Sequence, residues 1–146
     1  MKKLKYFIPS ILLMMIIFQF SMQDGEESAG LSLTIVHMIL KIFPFIKNQD
    51  LLHFIIRKAA HMSEYALLSL TFVYGFYKSN FVISKVCLYS LLCTFLYACS
   101  DELHQLFVSG RAGQFTDVLI DTTGGVIMIV CLFILYRKKL NNKKKI

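Results

Sequence analysis

Residues 117–136 read DVLIDTTGGVIMIVCLFILY, and the basic sequence RKKLNNKKKI follows directly. A largely apolar run of about 20 residues is long enough, as a helix, to cross roughly 30 Å of hydrocarbon. Positive charges immediately after such a run are typical of the cytoplasmic end of a span. The stretch therefore predicts a transmembrane helix that ends at a basic tail, residues 137–146.

The composition of the whole chain indicates the same solvent. Of its 146 residues, 56% are hydrophobic and 17% are charged, and the mean hydropathy is +0.60. A water-soluble domain of this size keeps too much surface to bury that amount of apolar side chain. The length limits the chain to one domain, so we expect a single membrane domain over residues 1–146.

Three further apolar runs, at about 7–23, 59–77 and 86–105, are also long enough to cross a bilayer. The first follows a basic start and is either a secretory signal or a retained anchor. No A-x-A-like cleavage site follows it and more spans come later, which favours a retained span. The predicted fold class is an all-α polytopic membrane bundle with four transmembrane helices.

The basic residues set the expected orientation. The net charge is +7, and eleven of the sixteen Lys and Arg lie in cytoplasmic segments if both termini are inside. None of the nine acidic residues falls in those segments. We therefore expect both termini to be cytoplasmic and the bilayer to be the partner of the apolar runs. Because the charge is explained in this way, nucleic-acid binding is not expected.

A shorter apolar stretch, residues 31–43, is closed by Pro44 and is too short to span. His37 and Lys41 stand four residues apart, as they would on one side of a helix lying in the membrane interface. A hydrophobic loop packed on the bundle is the alternative, and the sequence leaves both open.

Polar residues in three of the spans are expected to meet at one level near the outer surface, since each span has its other end fixed by the cytoplasmic anchors. In the span at 59–77 and its approach, Arg57, His61 and Glu64 follow i, i+4, i+7 spacing and share one helical stripe. Lys58 and Tyr65 stand beside them. We expect this stripe to form part of an outward-facing polar pocket.

The other two spans supply acidic residues at the same level. Asp101, His104 and Gln105 share a face, whereas Glu102 points about a quarter turn away. Asp117 and Asp121 are four residues apart, Thr116 is a candidate N-cap, and glycines in the next turn allow a neighbouring helix to approach closely. The pocket is therefore predicted to be assembled from the second, third and fourth spans.

The linker before the last span contains Arg111 between two glycines, which predicts a turn that aims the guanidinium at an acidic site or an anionic ligand. Ionisable residues at membrane depth are functional by default. The alternative is a structural network in which Arg57, Lys58 and Arg111 neutralise the carboxylates. The predicted pocket has five acidic residues and three Lys or Arg residues, so mutual neutralisation leaves two carboxylates without a partner. This excess favours a functional site over a structural network.

Three motifs in this order carry a resemblance to a known family. They are Arg57-Lys58-x-x-His61-x-x-Glu64-Tyr65, Asp101-Glu102-x-His104-Gln105-x-Phe107-x-x-Gly110-Arg111 and Asp117-x-x-x-Asp121-x-x-Gly124. Over residues 21–136 the chain resembles the VanZ-like family of small membrane proteins. Many members have Asn at the position of Asp121. A role that needs a neutral amide at this position would therefore not carry over to this chain.

The resemblance implies a bacterial plasma-membrane protein with a cell-envelope role. The founding member of the family is associated with lowered susceptibility to teicoplanin, a glycopeptide that binds cell-wall precursors. The resemblance names no reaction, so the site chemistry has to be argued from the residues.

Two classes of function fit the residues. A recognition module would bind an anionic lipid or a lipid-linked cell-wall precursor, with contacts from Arg57, Lys58, Tyr65, Gln105 and Arg111. A membrane enzyme would use imidazoles and carboxylates as general acid and base, and its candidates are His61, Glu64, Asp101, Glu102, His104, Asp117 and Asp121. A transporter is disfavoured because no inverted repeat or pair of broken helices is present.

Metal and cysteine chemistry are not expected. His61-x-x-Glu64 and Asp101-x-x-His104 resemble the ligand patterns of helical-bundle metal sites, but their order and number differ from the di-iron pattern. Nearby arginines would also repel a cation. The four cysteines lie in apolar runs without a CxxC pair. We therefore predict no metal and no cofactor.

Overall fold

The computed structural model describes residues 3–143, apart from the side chains of Glu27 and Lys143, and this part of the chain contains helices and no strand. The all-α prediction is thus confirmed for these residues. A 3-10 turn leads into five α-helices. Their bounds are Leu4–Phe7 for the turn, then α1 (Ile8–Ser21), α2 (Gly25–Ile42), α3 (Gln49–Lys78), α4 (Ile83–Gln105) and α5 (Phe115–Lys143).

Three of the helical segments are long and apolar enough to cross a membrane: Leu4–Ser21, Ile83–Gln105 and Phe115–Asn142. The sequence predicts a fourth span within α3. This helix has 30 residues, more than a crossing needs, but its N-terminal half carries charged and polar side chains that lower its hydropathy.

The distribution of polar and apolar side chains is that of a membrane bundle. Among the described residues, the buried side chains comprise ten polar or charged ones and only eight apolar ones. Large apolar side chains instead face outward on the apolar helices, as at Leu96, Ile134 and Leu135, which are 58–63% exposed. An exposed apolar surface of this extent requires an apolar solvent or partner. The chain therefore has the surface of a membrane protein.

Helix α3 lies at the centre and packs against all the other helices, most extensively against α5. At one end of the bundle the Phe7 and Phe76 rings lie 5.0 Å apart and the Tyr77 and Tyr136 rings 6.5 Å apart. The start of α1 and the apolar end of α5 therefore lie beside the C-terminus of α3. At the other end, the backbone N–H of Gly25 donates to the Ser109 carbonyl.

Two adjacent glycines of α5 set how closely the helices approach. A Cβ at Gly124 would collide with the backbone oxygen of Met62 in α3, and one at Gly125 would lie 2.9 Å from the Thr94 methyl carbon in α4. The Ser69 hydroxyl also donates to the Gly125 carbonyl at 3.3 Å. Small residues at a contact let membrane helices pack backbone to backbone, as the sequence predicts for these glycines.

Several predicted boundaries need correction. Residues 31–42 belong to α2, which ends one residue before Phe43, so the hydrophobic-loop alternative is wrong. Helix α3 begins at Gln49, ten residues before the predicted span, because the Asn48 side chain accepts a hydrogen bond from the Leu51 N–H at 3.0 Å and caps it. Helix α5 begins at Phe115, so Thr116 lies inside the helix and is not its N-cap, and the helix continues into the basic tail.

The extra length of α3 positions the site. A four-residue linker joins α3 to α4, so the two helices run antiparallel from a common end. At 1.5 Å per residue, the seven residues by which α3 exceeds α4 extend it about 10 Å further at the opposite end. Helix α2 packs on α3, and the two enclose a space beside the end of α1.

Candidate functional site

A cavity of about 210 Å³ lies between the end of α1, helix α2 and the N-terminal half of α3. Its charged and titratable lining consists of Arg57, His61 and Glu64 from α3, Asp101 from α4 and Arg111 from the α4–α5 loop. The i, i+4, i+7 stripe thus lines a single cavity. Its apolar lining comes from three helices: Ile17, Phe20, Leu31, Ile35, Ile56 and Ala60.

The helices around this cavity differ from those predicted. The sequence predicts a pocket assembled from α3, α4 and α5, but none of its lining residues belongs to α5. Helices α1 and α2 take that place. The physical reason is that the glycines of α5 bring it against α3 and leave no space between them. Asp117 and Asp121 therefore lie outside the cavity lining.

Two opposite charges in the cavity have no partner within the described chain. Neither the Arg57 guanidinium nor the Glu64 carboxylate makes a hydrogen bond or an ion pair with another described residue. Both side chains are half-buried. A charged group taken partly out of water needs compensation. Glu64 gains part of it from the nearby Arg111 charge, and a ligand in the cavity can supply direct hydrogen bonds to both groups. Arg57 and Glu64 are therefore the two charged groups of the lining whose hydrogen-bonding capacity is free for a ligand.

The other two charges of the cavity are held by the protein. Asp101 is 3% exposed, and its Oδ2 accepts a hydrogen bond from Gln105 Nε2 at 3.2 Å. Its Oδ1 is buried without a hydrogen-bond partner among the described residues. Gln105 thus orients the Asp101 carboxylate and does not line the cavity itself.

Arg111 closes the end of α1. Its Nε donates to the Gln23 carbonyl at 2.9 Å and its Nη2 to the Phe20 carbonyl at 3.0 Å. These oxygens lie at the helix terminus, where carbonyls lack intrahelical partners and favour a cation. Burial lowers the pKa of Arg111, and the Arg57 charge lowers it further, whereas Asp101, Glu102 and Glu64 act in the opposite direction. Arg111 is thus tied to α1 while it lines the cavity.

Asp121 lies behind the cavity and is completely buried. Its Oδ1 lies 3.9 Å from His61 Nδ1, beyond hydrogen-bonding distance, and neither of its oxygens has a hydrogen-bond partner among the described residues. The His61 ring lines the cavity on one side and faces this carboxylate on the other. Tyr65 is also completely buried, and its ring lies 6.1 Å from that of Tyr97.

Lys58 and Asp117 pair with each other. The distance from Lys58 Nζ to Asp117 Oδ1 is 2.5 Å, and the two side chains are 20% and 15% exposed. The pair joins α3 to the first turn of α5 outside the cavity lining. For this pair, the charges neutralise each other, as expected from the structural-network alternative.

Glu102 and His104 also point away from the cavity. Glu102 is buried, and its Oε2 accepts a hydrogen bond from the Gln114 backbone N–H at 2.9 Å, which fixes the α4–α5 loop. The His104 ring packs against Phe18 of α1 at 4.6 Å. His104 therefore does not share the ligand-facing surface of Asp101, although the two are only three residues apart.

Several polar residues of the cavity were not among the sequence-predicted candidates. Ser28 and Ser32 come from α2, and Ser21 and Gln23 come from the end of α1. The i, i+4 spacing of the two serines marks one face of α2 and is a signal in the sequence. The sequence leaves open whether residues 31–43 form an interfacial helix or a loop on the bundle and makes no prediction for Ser28, so that face could not be assigned to the site.

Residues 3–143 contain no cluster of three or more His, Cys, Asp or Glu side chains arranged to hold a metal ion. The charged groups near the cavity are distributed among ion pairs, a helix cap and the two unpartnered side chains. The arrangement presents a cation, an imidazole and a carboxylate along one helical stripe, next to an apolar wall. Such a lining suits a ligand that has both a charged and an apolar part.

Comparison with known proteins identifies the family. No curated protein and no solved structure matches the chain. The sequence model of the VanZ/LLP1 family matches residues 6–136, which cover α1 to α4, most of α5 and all residues of the cavity. The chain is therefore a member of the VanZ/LLP1 family.

Proposed function

We propose that the protein is a single-domain, four-span protein of the bacterial plasma membrane, with both termini in the cytoplasm. The short linker from α3 to α4 supports the fourth span, because α3 must return through the layer that α4 crosses. The basic residues support the orientation: Lys78 and Lys85 flank this linker, and Arg137, Lys138 and Lys139 follow Tyr136 at the same end. The cavity then faces outward.

In this orientation the cavity recognises an anionic or lipid-linked ligand at the outer leaflet, and the protein has a cell-envelope role that includes susceptibility to teicoplanin. One observation carries this proposal. The Arg57 guanidinium lines a 210 Å³ cavity without a protein partner, beside an apolar wall from α1 and α2. A guanidinium binds phosphate or carboxylate groups by paired hydrogen bonds, and the wall suits an acyl or prenyl chain.

A second candidate function is catalysis on a lipid-linked substrate. The observation that favours it is the position of His61 between the cavity and buried Asp121. A carboxylate behind an imidazole can orient it and stabilise its protonated form while the other side of the ring acts as general base. In that case His61, Glu64 and Asp101 touch the substrate, and Asp121 acts through His61.

The test is mass spectrometry of the lipids and cell-wall precursors retained by the purified full-length protein, compared with Arg57→Gln. Arg137→Gln is the matched control, because Arg137 belongs to the basic end of α5. We expect wild type and Arg137→Gln to retain a phosphate-bearing lipid that Arg57→Gln loses. Equal retention by all three proteins would remove the cavity as the recognition site.

The same variants, expressed in a host that lacks the protein, are compared for teicoplanin susceptibility. Recognition alone predicts that susceptibility follows ligand retention. Catalysis predicts that His61→Asn loses the susceptibility phenotype while it keeps the retained lipid and its expression level. If His61→Asn behaves as wild type in both measurements, acid–base chemistry at His61 is ruled out.

A further inference from the structure

The cavity lining contains equal numbers of basic and acidic side chains. Arg57 and Arg111 are the two basic residues, and Glu64 and Asp101 are the two acidic ones. A ligand that is only anionic would gain attraction from one pair and repulsion from the other. The cavity lining therefore gives a purely anionic ligand little advantage over one that also carries a positive charge.

The two unpartnered groups are separated along α3. Arg57 and Glu64 are seven residues apart on the same stripe, which places their Cα atoms about 10.5 Å apart along the helix axis. His61, the residue between them, lines the same cavity. The cavity thus has a cationic end at Arg57 and an anionic end at Glu64, and each end is open to a ligand group of opposite charge.

Arg111 and Asp101, the other two charged residues of the lining, differ in their remaining capacity for hydrogen bonds. Two nitrogens of Arg111 already donate to carbonyls of α1, so its capacity for further ligand hydrogen bonds is reduced. Asp101 keeps one oxygen, Oδ1, without a hydrogen-bond partner among the described residues. Because Asp101 Oδ1 is buried, the half-buried Glu64 carboxylate is the main acceptor for a donor group of the ligand, and Arg57 is the main cationic contact.

We infer that the cavity binds a zwitterionic headgroup, in which Arg57 contacts a phosphodiester and Glu64 contacts a primary ammonium group on a short spacer. Such a headgroup carries its two charges on one short spacer, and α3 presents its two unpaired groups at separate heights of one stripe, so each ligand charge can face the side chain of opposite sign. A primary ammonium donates hydrogen bonds to carboxylates, whereas a quaternary one cannot. This inference rests on the proposed recognition function and specifies its ligand class.

The apolar lining indicates where the rest of the ligand lies. Ile17 and Phe20 of α1 and Leu31 and Ile35 of α2 border the charged groups. Both Leu31 and Ile35 remain about half exposed, at 56% and 47%. An exposed apolar border next to the charged groups suits a lipid whose chains stay in apolar surroundings while its headgroup enters the cavity.

The experiment measures binding of phosphatidylethanolamine, phosphatidylcholine and phosphatidylglycerol of identical acyl composition to the delipidated full-length protein by native mass spectrometry. We expect wild type to prefer phosphatidylethanolamine at least tenfold over each of the others. In Glu64→Gln the preference over phosphatidylglycerol is expected to disappear while phosphatidylglycerol binding persists. Arg57→Gln is expected to weaken all three.

Asp50→Asn and Arg137→Gln are the controls, since both residues lie outside the cavity lining and keep its charges unchanged. A soluble competitor, glycerophosphoethanolamine, separates the sources of the ligand: competition shows that the headgroup alone suffices, whereas no competition shows that the chains are needed. Monodisperse elution of each variant confirms that it is folded.

The outcomes separate the two proposals. If wild type binds phosphatidylglycerol as well as or better than phosphatidylethanolamine, and Arg57→Gln abolishes this binding, anion recognition stands and the zwitterion inference is overturned. If a folded wild type binds none of the three lipids, both the inference and lipid recognition in the proposed function are contradicted. Unchanged lipid preference in a folded Glu64→Gln also overturns the inference.

Discussion

At the scale of single residues, the same type of charged side chain has different roles depending on its partners. Lys58 and Arg57 are neighbours in sequence, yet Lys58 forms an ion pair with Asp117 and Arg57 lines the cavity unpaired. Successive residues of a helix point about 100° apart. One of the two therefore faces α5 and the other faces the cavity.

The Lys58–Asp117 pair is expected to stabilise the contact between α3 and α5. Lys58→Met or Asp117→Asn leaves one partly buried charge unpaired and should each lower the free energy of unfolding by about 1–3 kcal/mol. The double variant should lose less than the sum of the two. A double-mutant cycle in detergent measures this, with exposed Lys85→Met as control. Additive losses would show that the pair contributes no coupling.

Asp121 is predicted to lower the stability of the folded protein. Its carboxylate is completely buried with no hydrogen-bond partner among the described residues, and burial of such a group is unfavourable. Asp121→Asn keeps the size and removes the ionisable group, so the apparent melting temperature should stay the same or rise. A fall of several degrees in the melting temperature would indicate that the carboxylate makes a stabilising interaction in the bundle.

At the scale of helices, α3 organises the molecule because it serves three purposes along its length. Its C-terminal half packs in the apolar bundle, its middle carries the cavity stripe, and its first turns extend past α4 to support α2. The sequence indicates the first two through hydropathy and i, i+4, i+7 spacing. The early start depends on the Asn48 cap, which hydropathy does not reveal.

The close approach of α5 to α3 provides a test at this scale. A Cβ at Gly124 would collide with the Met62 backbone oxygen, so Gly124→Ala should lower the free energy of unfolding by about 1–3 kcal/mol through overpacking. Gly30→Ala is the matched control, because no atom lies within 4 Å of a Cβ there. It should gain up to about 1 kcal/mol from helix propensity. Equal thermal stability of both variants would contradict the close contact.

At the scale of the whole molecule, the arrangement of the helix ends predicts the topology. In a cysteine-free background, single cysteines at Ser84, Ser109 and Asn142 report the two ends of the bundle. With four spans and cytoplasmic termini, we expect Ser109→Cys to react with an impermeant maleimide in intact cells. The other two should react only after permeabilisation. Labelling of Ser84→Cys and Ser109→Cys from the same side would show that α4 does not cross.

The polar stripe of α3 could be predicted from the sequence more accurately than the helices and side chains around it. Arg57, His61 and Glu64 share one helix, so their common face follows from local geometry alone. The positions of Asp117 and Asp121 were predicted from depth, and depth does not determine the direction in which a side chain points. Their exclusion from the cavity follows from the rotation of α5, which brings its glycines against α3.

The sequence by itself determined the all-helical membrane character, the approximate positions of three apolar spans and the stripe of charged residues on α3. These properties depend on hydropathy and on the helical repeat, which are local. Only the tertiary structure decided that α1 and α2 enclose the cavity, that Lys58 and Asp117 neutralise each other, and that Arg57 and Glu64 remain unpaired. These depend on helix rotation and close packing, which arise from contacts between residues far apart in the chain.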